Sequence, residues 1–246
     1  MTPRNGSSRC RAALIIPALN EEEAIGATLA RVPPGLFDCV IVADNGSTDR
    51  TAEVARAHGA RVVQEPRRGY GAACLAAIAA LPAEVECVVF LQADGSEDPA
   101  EAARLLEPIA RGEADLVIGS RVLGSAEPGA LAPHQRFGNR LATFLIRLLY
   151  GRRYTDLGPF RAIRRNALER LRMRDRGYGW TVEMQVRALE EGLRVVERPV
   201  SYGRRRAGTG KVSGSWKASL AAGAKILATI ARLYLRRGGR RKPAGS

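Results

Sequence analysis

The chain has 246 residues, 46% of them hydrophobic and only 5% aromatic, which supports a sizeable core and excludes disorder throughout. The net charge is +14, but residues 203–246 hold twelve Lys and Arg and no acid, so the first 202 residues carry only +2. A nearly neutral body with no aromatic-studded basic groove speaks against a nucleic-acid-binding module, while the basic tail by itself suits an anionic surface such as phospholipid head groups, or nucleic acid, or merely solvent.

Apolar runs and helical periodicity predict a strand at 12–17, a helix near 22–32, a strand at 38–43 and a helix near 48–58. A strand at 61–64, a helix near 70–81, a strand at 86–92, a helix near 99–111 and a strand at 114–118 follow. Continuously apolar strands alternating with helices indicate βαβ units, hence a doubly wound, mostly parallel α/β sheet covered on both faces. After Arg121 the alternation breaks: a Gly/Pro/Ala loop at 124–133 leads to an amphipathic helix near 134–150. The segment 155–161, a helix near 179–191 and a strand around 194–202 complete a body that reads as one domain over 1–214. In the last helix, about 215–236, Trp216, Leu220, Leu227, Ile230 and Tyr234 recur at helical spacing, with Lys217, Lys225, Arg232 and Arg236 on another side. Lys225 and Arg232 interrupt it too much to span a bilayer, so 215–246 reads as a basic amphipathic helix and tail, lying in a membrane interface or packed on the domain. The helix near 134–150 divides similarly, Arg136, Arg140 and Arg147 against Phe137, Leu141, Phe144 and Leu148.

Cysteines 10, 39, 74 and 87 form no C-x-x-C pair, and Cys39 and Cys87 sit in strand-like apolar runs, which predicts reduced structural thiols. His58 and His134 form no cluster. Arg4, Arg9 and Arg11 lead straight into the first strand without a separate apolar region, so no signal peptide is expected and a cytoplasmic chain follows.

Three segments carry the chemistry: Pro17-Ala18-Leu19-Asn20-Glu21, Val42-Ala43-Asp44-Asn45-Gly46-Ser47-Thr48-Asp49, and Leu91-Gln92-Ala93-Asp94-Gly95-Ser96-Glu97-Asp98-Pro99. Each follows a predicted strand and opens a helical pattern, placing acidic and small polar residues at the edge where open α/β sheets bind ligands. Asn20 is positioned to cap a helix beginning at Glu21, and Ser47-Thr48-Asp49 resemble a second cap, whereas Asp44 precedes the cap and needs another role. Gly69 and Gly71, between a strand and a helix, let backbone approach a ligand closely, with phosphate recognition by helix-start N–H groups as one use.

The order and wording of these segments resemble the nucleotide-sugar half of inverting family 2 glycosyltransferases. The resemblance runs from about Ala13 to Gly214 and lies nearest the dolichol-phosphate mannose synthase and bacterial polyprenyl-phosphate branch. It implies the nucleotide-diphospho-sugar transferase (GT-A) fold, a donor half at 12–121 and an acceptor half at 122–214, a UDP- or GDP-hexose donor and Mg²⁺ or Mn²⁺. It places Asp44 on the donor base, Glu21 near ribose or base, Pro17 and Asn20 in the donor site with them, and Gly69 and Gly71 at the phosphates. At the family's D-x-D position Gln92 replaces the first acid, Ala93 follows, and Asp94 remains as the metal ligand, which weakens the demand for a cation.

Gly119-Ser120-Arg121 and Asp156-Leu157-Gly158-Pro159-Phe160-Arg161 resemble two further segments of that branch, with Pro159 where Gly is usual. Arg121, Arg136 and Arg161 are the implied phosphate grips, and Asp156 orients the acceptor or a sugar hydroxyl. Glu183 is either a general base for an alcohol acceptor or a structural anchor, since a phosphate acceptor needs no base; Trp180 either stacks on a sugar or packs. Residues 204–214 resemble the Arg-x-x-Gly-x-Ser-Lys segment that closes over the donor diphosphate, with Gly210 where Ser is usual and Arg206 and Lys211 as phosphate contacts. The implied activity is inverting hexosyl transfer to a polyprenyl phosphate at the cytosolic membrane face. A soluble transferase using a small hydroxyl acceptor is the alternative. A nucleotidyltransferase ranks lower because no Gly-rich Arg/Lys loop follows the first strand.

Overall fold

Seven strands form one sheet in the order β3-β2-β1-β4-β6-β5-β7, and six of them run parallel. The computed structural model describes residues 10–205 and 216–240, with side chains of the last helix described over 223–236. β1 (Ala12–Ala18), β2 (Cys39–Asp44), β3 (Arg61–Gln64) and β4 (Cys87–Phe90) alternate with α1 (Glu22–Ala30), α2 (Thr51–Ala57) and α3 (Tyr70–Ala79). α4 (Ala102–Ala110), entered through a 3-10 turn capped by Asp98, leads to β5 (Leu116–Ala126). The doubly wound, mostly parallel sheet expected from the sequence is thus present.

Strand residues alternate between two cores, as the two-residue repeat of a strand requires. Ala13, Ile15, Val88 and Phe90 face α3 and the C-terminal helices, whereas Leu14, Ile16, Val89 and Leu91 face α1 and α4. Burying each such Leu or Ile contributes about 2 kcal/mol, so the continuous apolar runs suffice to hold strands with no polar face.

The second half departs from simple alternation. After α5 (Pro133–Tyr150), β6 (Arg161–Arg164) enters antiparallel between β4 and β5, followed by α6 (Arg165–Leu171), α7 (Trp180–Glu190) and β7 (Val195–Tyr202). Neither β6 nor α6 was expected. β6 is four residues with two arginines in it, too short and too charged to read as a buried strand, yet Arg161 is buried there. β5 also runs past its expected end into the 124–126 region, through a register shift against β7.

α8 (Trp216–Arg240) buries Thr229, Ile230 and Leu233, packing on α5 and α7, with Tyr234 edge-on to Tyr150 at 5.9 Å. Among the described residues no helix is long and apolar enough to cross a membrane. The expectation of four reduced thiols is corrected: Cys10 and Cys87 form a disulfide across 77 residues of sequence, leaving Cys39 and Cys74 unbridged. β1 and β4 are sheet neighbours, Ala12 opposite Cys87, and that adjacency brings Cys10 to its partner. No local spacing signals it.

Candidate active site

The carboxyl ends of β1, β2, β4 and β7 meet at a cavity of about 510 Å³. Pro17, Glu21, Gly69, Gln92, Ala93 and Asp94 line it, as their motifs suggested. Asn45, Arg68, Tyr70, Tyr178, Tyr202 and Arg205 line it too, and sequence reasoning missed them.

Asp94 divides its carboxylate between fold and cavity. Oδ1 accepts from Ser96 N at 3.0 Å and Ser96 Oγ at 2.6 Å, while Oδ2 faces Arg205 Nη1 at 3.3 Å. The other arm of the Arg205 guanidinium meets Glu21. Gln92 Oε1 accepts from Ser96 Oγ at 3.2 Å and Tyr202 OH at 3.4 Å. Beneath them, Glu97 Oε2 accepts from Gln92 N at 2.8 Å, and its Oε1 is buried with no hydrogen-bond partner among the described residues. Burial pushes the Glu97 carboxyl up to about 8.

Among the described residues no cluster of three or more His, Cys, Asp or Glu could hold a metal by itself. Asp94 and the Gln92 amide supply oxygen at the D-x-D position, and Mg²⁺ ordinarily takes one or two carboxylates and completes its shell with water and substrate phosphate. The donor set therefore fits a divalent cation that arrives with a diphosphate, provided Arg205 yields Oδ2 of Asp94.

Gly69 sits at φ 143° with its N–H on Asn45 Oδ1 at 2.7 Å, and a Cβ there would fall 2.1 Å from Arg176 O. Gly71 is glycine for a different reason than ligand approach. It does not line the cavity, and its Cβ would meet Asp175 O at 2.0 Å, so its bareness serves backbone packing.

A second cavity, about 270 Å³, is lined by Arg121, Gln135, Arg136, Asn139, Arg140 and Asp156 among others, and Gln135 lines both. Arg121 and Asp156 grip each other: Nε reaches Oδ2 at 2.8 Å, Nη2 reaches Oδ1 at 2.7 Å, and the Arg121 backbone N–H adds 2.9 Å to Oδ2. Burial alone would lower the guanidinium, but the Asp156 hydrogen bonds and charge outweigh it and its proton is held more tightly. The same guanidinium lies 5.1 Å over the Tyr202 ring.

Several expected roles do not survive the geometry. Arg161 is 0% exposed and spends its donors on the carbonyls of Gly158, Leu157 and Thr181, so it braces the chain before β6 and grips no phosphate; burial brings its pKa down to about 10. Asn20, at φ 49°, does not cap α1. Its Oδ1 accepts from Thr48 N at 2.8 Å and its N–H donates to Ser47 Oγ at 2.8 Å, stitching the first loop to the second. Asp44 is buried at the end of β2, accepts from Ser47 N at 3.1 Å and does not line the cavity. Glu183, 1% exposed, takes Arg174 N at 3.0 Å, Asp175 N at 2.6 Å and Arg187 Nε at 2.8 Å, the geometry of an anchor. Trp180 is fully buried, edge-on to Phe90 at 6.2 Å, and packs. Arg206 and Lys211 lie outside the described residues. One signal for Arg205 was present: counting back from Lys211 in the Arg-x-x-Gly-x-Ser-Lys pattern lands on Arg205, not Arg206.

The chain is similar to known glycosyltransferases in sequence and in fold. An uncharacterised glycosyltransferase of Mycobacterium tuberculosis is 42% identical over 211 residues, covering 85% of this chain and 93% of that one. The polyprenol monophosphomannose synthase of Mycolicibacterium smegmatis is 34% identical over 222 residues, covering 83% and 82%. The crystal structure of glucosyl-3-phosphoglycerate synthase from Mycobacterium tuberculosis with Mn²⁺, UDP-glucose and phosphoglyceric acid superposes with a TM-score of 0.75. It is 25% identical and covers 92% of this chain and 80% of that one. Residues 13–172 match the pattern of Glycosyl transferase family 2, and the chain belongs to that family, as a nucleotide-sugar-dependent transferase of GT-A fold.

Proposed function

We propose that this enzyme moves a hexose from a UDP- or GDP-sugar to a polyprenyl phosphate at the cytosolic membrane face, with inversion. The observation that carries the reading is the second cavity, where three arginines gather and no carboxylate stands ready as a base. Asp156 is its one lining carboxylate among the described residues, and both its oxygens are committed to Arg121. Glu183, the other candidate, is buried and committed as well. An ionised phosphate needs no deprotonation and is attracted by Arg136 and Arg140, whereas an alcohol would need a proton acceptor.

In the larger cavity the donor's nucleoside end lies toward Pro17 and Asn45 and its diphosphate toward Asp94 and Arg205. Mg²⁺ or Mn²⁺ held by Asp94 supplies Lewis-acid charge at the diphosphate. Arg205 adds positive charge as the leaving group departs, and Gln135, shared by both cavities, orients donor and acceptor against each other. The lipid reading also draws on α5, which exposes Phe137, Phe144 and Leu148 beside Arg140 and Arg147, a surface suited to an anionic membrane. The name of the mycolicibacterial relative, a polyprenol monophosphomannose synthase, supports the same acceptor class.

The test is nucleoside diphosphate release from a panel of UDP- and GDP-sugars, with Mg²⁺ or Mn²⁺, with and without undecaprenyl phosphate in detergent. The expected result is release that requires the lipid phosphate and one donor and disappears in Asp94→Ala. Release with a small hydroxyl acceptor such as 3-phosphoglycerate, and none with the lipid phosphate, overturns the lipid reading in favour of a soluble transferase.

A further inference from the structure

The loop between α6 and α7 forms one wall of the larger cavity through Gly177 and Tyr178. Two buried carboxylates hold it. Glu183 takes the N–H groups of Arg174 and Asp175, and Asp175 Oδ1 takes those of Gly177 at 2.8 Å and Gly179 at 3.2 Å. The other oxygen of Asp175 faces α8: Thr229 Oγ1 and Arg232 Nη2 each stand 3.4 Å away and Lys225 Nζ 3.5 Å. Positions 225, 229 and 232 are four and three apart, so one face of α8 converges on one carboxylate whose side chain is 0% exposed. The fit leaves no slack, since a Cβ at Gly179 would fall 2.5 Å from Thr229 Oγ1.

The same loop leans on the turn that opens α3. Ala72 N donates to Arg176 O at 3.0 Å, and Gly69 and Gly71 meet the carbonyls of Arg176 and Asp175 too closely for any side chain. Gly69 and Tyr70 line the cavity from the opposite side of that contact. An unbroken series of contacts therefore runs from α8 through Asp175 and the 175–179 backbone to the Gly69-Tyr70 wall.

We propose that Asp175 is a positioning residue through which α8, by Lys225, Thr229 and Arg232, sets the wall of the nucleotide site. The C-terminal helix is then part of the donor-binding machinery, whatever it does at a membrane. The inference rests on the reading that the larger cavity takes a nucleotide. A buried carboxylate with two facing cations and three hydrogen-bond donors has a defined position only while all of them are present. Removing the cations leaves the loop its local N–H bonds and, on the helix, Thr229 alone.

The experiment compares the full chain with Lys225→Ala/Arg232→Ala and with Thr229→Val, by amide exchange over 69–73 and 176–180 and by calorimetric binding of UDP and of GDP with Mn²⁺. In the double variant, exchange in both segments quickens while β1 and β4 stay protected, and nucleotide affinity falls roughly tenfold, the scale of a binding wall displaced by a fraction of an ångström. Thr229→Val moves the same way by less, and Lys225→Ala/Arg232→Lys recovers most of the affinity lost in the double alanine variant. Unchanged exchange overturns the proposal, as does faster exchange with affinity within about twofold of the parent, because the helix would then brace the fold alone. If the double variant loses protection in β1 as well, Thr229→Val decides by the same criteria. If the parent chain binds neither nucleotide, the donor reading fails, and exchange at 69–73 by itself sustains or overturns the clamp.

Discussion

Arg205 Nη1 stands 3.3 Å from Asp94 Oδ2, and the same guanidinium reaches Glu21, so a side-chain cation occupies the ground that the proposed function gives to a metal-bound diphosphate. Two opposite effects follow from removing it. Arg205→Ala frees Asp94 for a cation and so tightens Mn²⁺ binding in the absence of nucleotide, while UDP or GDP affinity weakens by about tenfold, or ~1.4 kcal/mol. Mn²⁺ titration by electron paramagnetic resonance reads the first and calorimetry the second. Parallel movement of the two would show that Arg205 does not compete with the metal.

Gln92 gives a second handle on the cation. Its Oε1 is already held by Ser96 and Tyr202, and a neutral amide is a poor ligand for a hard ion. Gln92→Asp restores a carboxylate at this place, and Mn²⁺ affinity in the presence of UDP is expected to rise by about tenfold, ~1.4 kcal/mol. The check is the metal concentration that gives half-maximal nucleotide binding in the variant against the parent.

The Arg121–Asp156 pair makes three hydrogen bonds around a carboxylate that is 0% exposed. Asp156→Asn leaves a largely buried guanidinium without its counter-charge, a change that costs about 3 kcal/mol. The thermal midpoint of a chain this size falls by roughly 6–12 °C. Calorimetry on the variant tests this, and a shift under about 2 °C would mean that Tyr202 and solvent hold the arginine unaided.

Glu97 makes stability depend on pH in the alkaline direction. Its carboxyl is raised from an ordinary 4.5 to about 8 by burial, so the folded chain keeps a proton the unfolded chain has lost. That contribution is complete below pH 4.5, drains as pH climbs to about 8 and is constant above it. Glu97→Gln mimics the protonated form and lacks the decline. Urea unfolding of both chains between these limits is expected to show the variant gaining on the parent as pH rises; parallel curves would count against the assignment.

The parallel half of the sheet was legible because its strands are apolar throughout and its loops carry acids at strand ends. The Pro17–Glu21 and Gln92–Asp94 stretches land on the cavity for that reason. What stayed hidden is of two kinds. β6 depends on partners in β5 and β4, more than 40 residues away, and the Cys10–Cys87 bond spans 77, so nothing within a short window encodes them. Arg161 and Glu183 looked functional because charged residues in family motifs usually face a ligand. Both are buried with their polar atoms taken up inside the chain, by carbonyls for the arginine and by backbone N–H groups and Arg187 for the glutamate; most of these partners are near in sequence, but only the folded backbone aims them inward.

The antiparallel course of β6 has a consequence for which loops share a rim. A strand that runs against its neighbours is entered from the edge where they leave, so residues 155–160 reach the same rim as Gln92 and Asp94 without interrupting any donor loop. On the proposed function, changes ahead of β6 fall on the acceptor side and leave the loops after β1, β2 and β4 untouched. One reversed strand thus lets a single sheet edge be built from two loop sets that are separate in sequence, those leaving β1, β2 and β4 and the one entering β6.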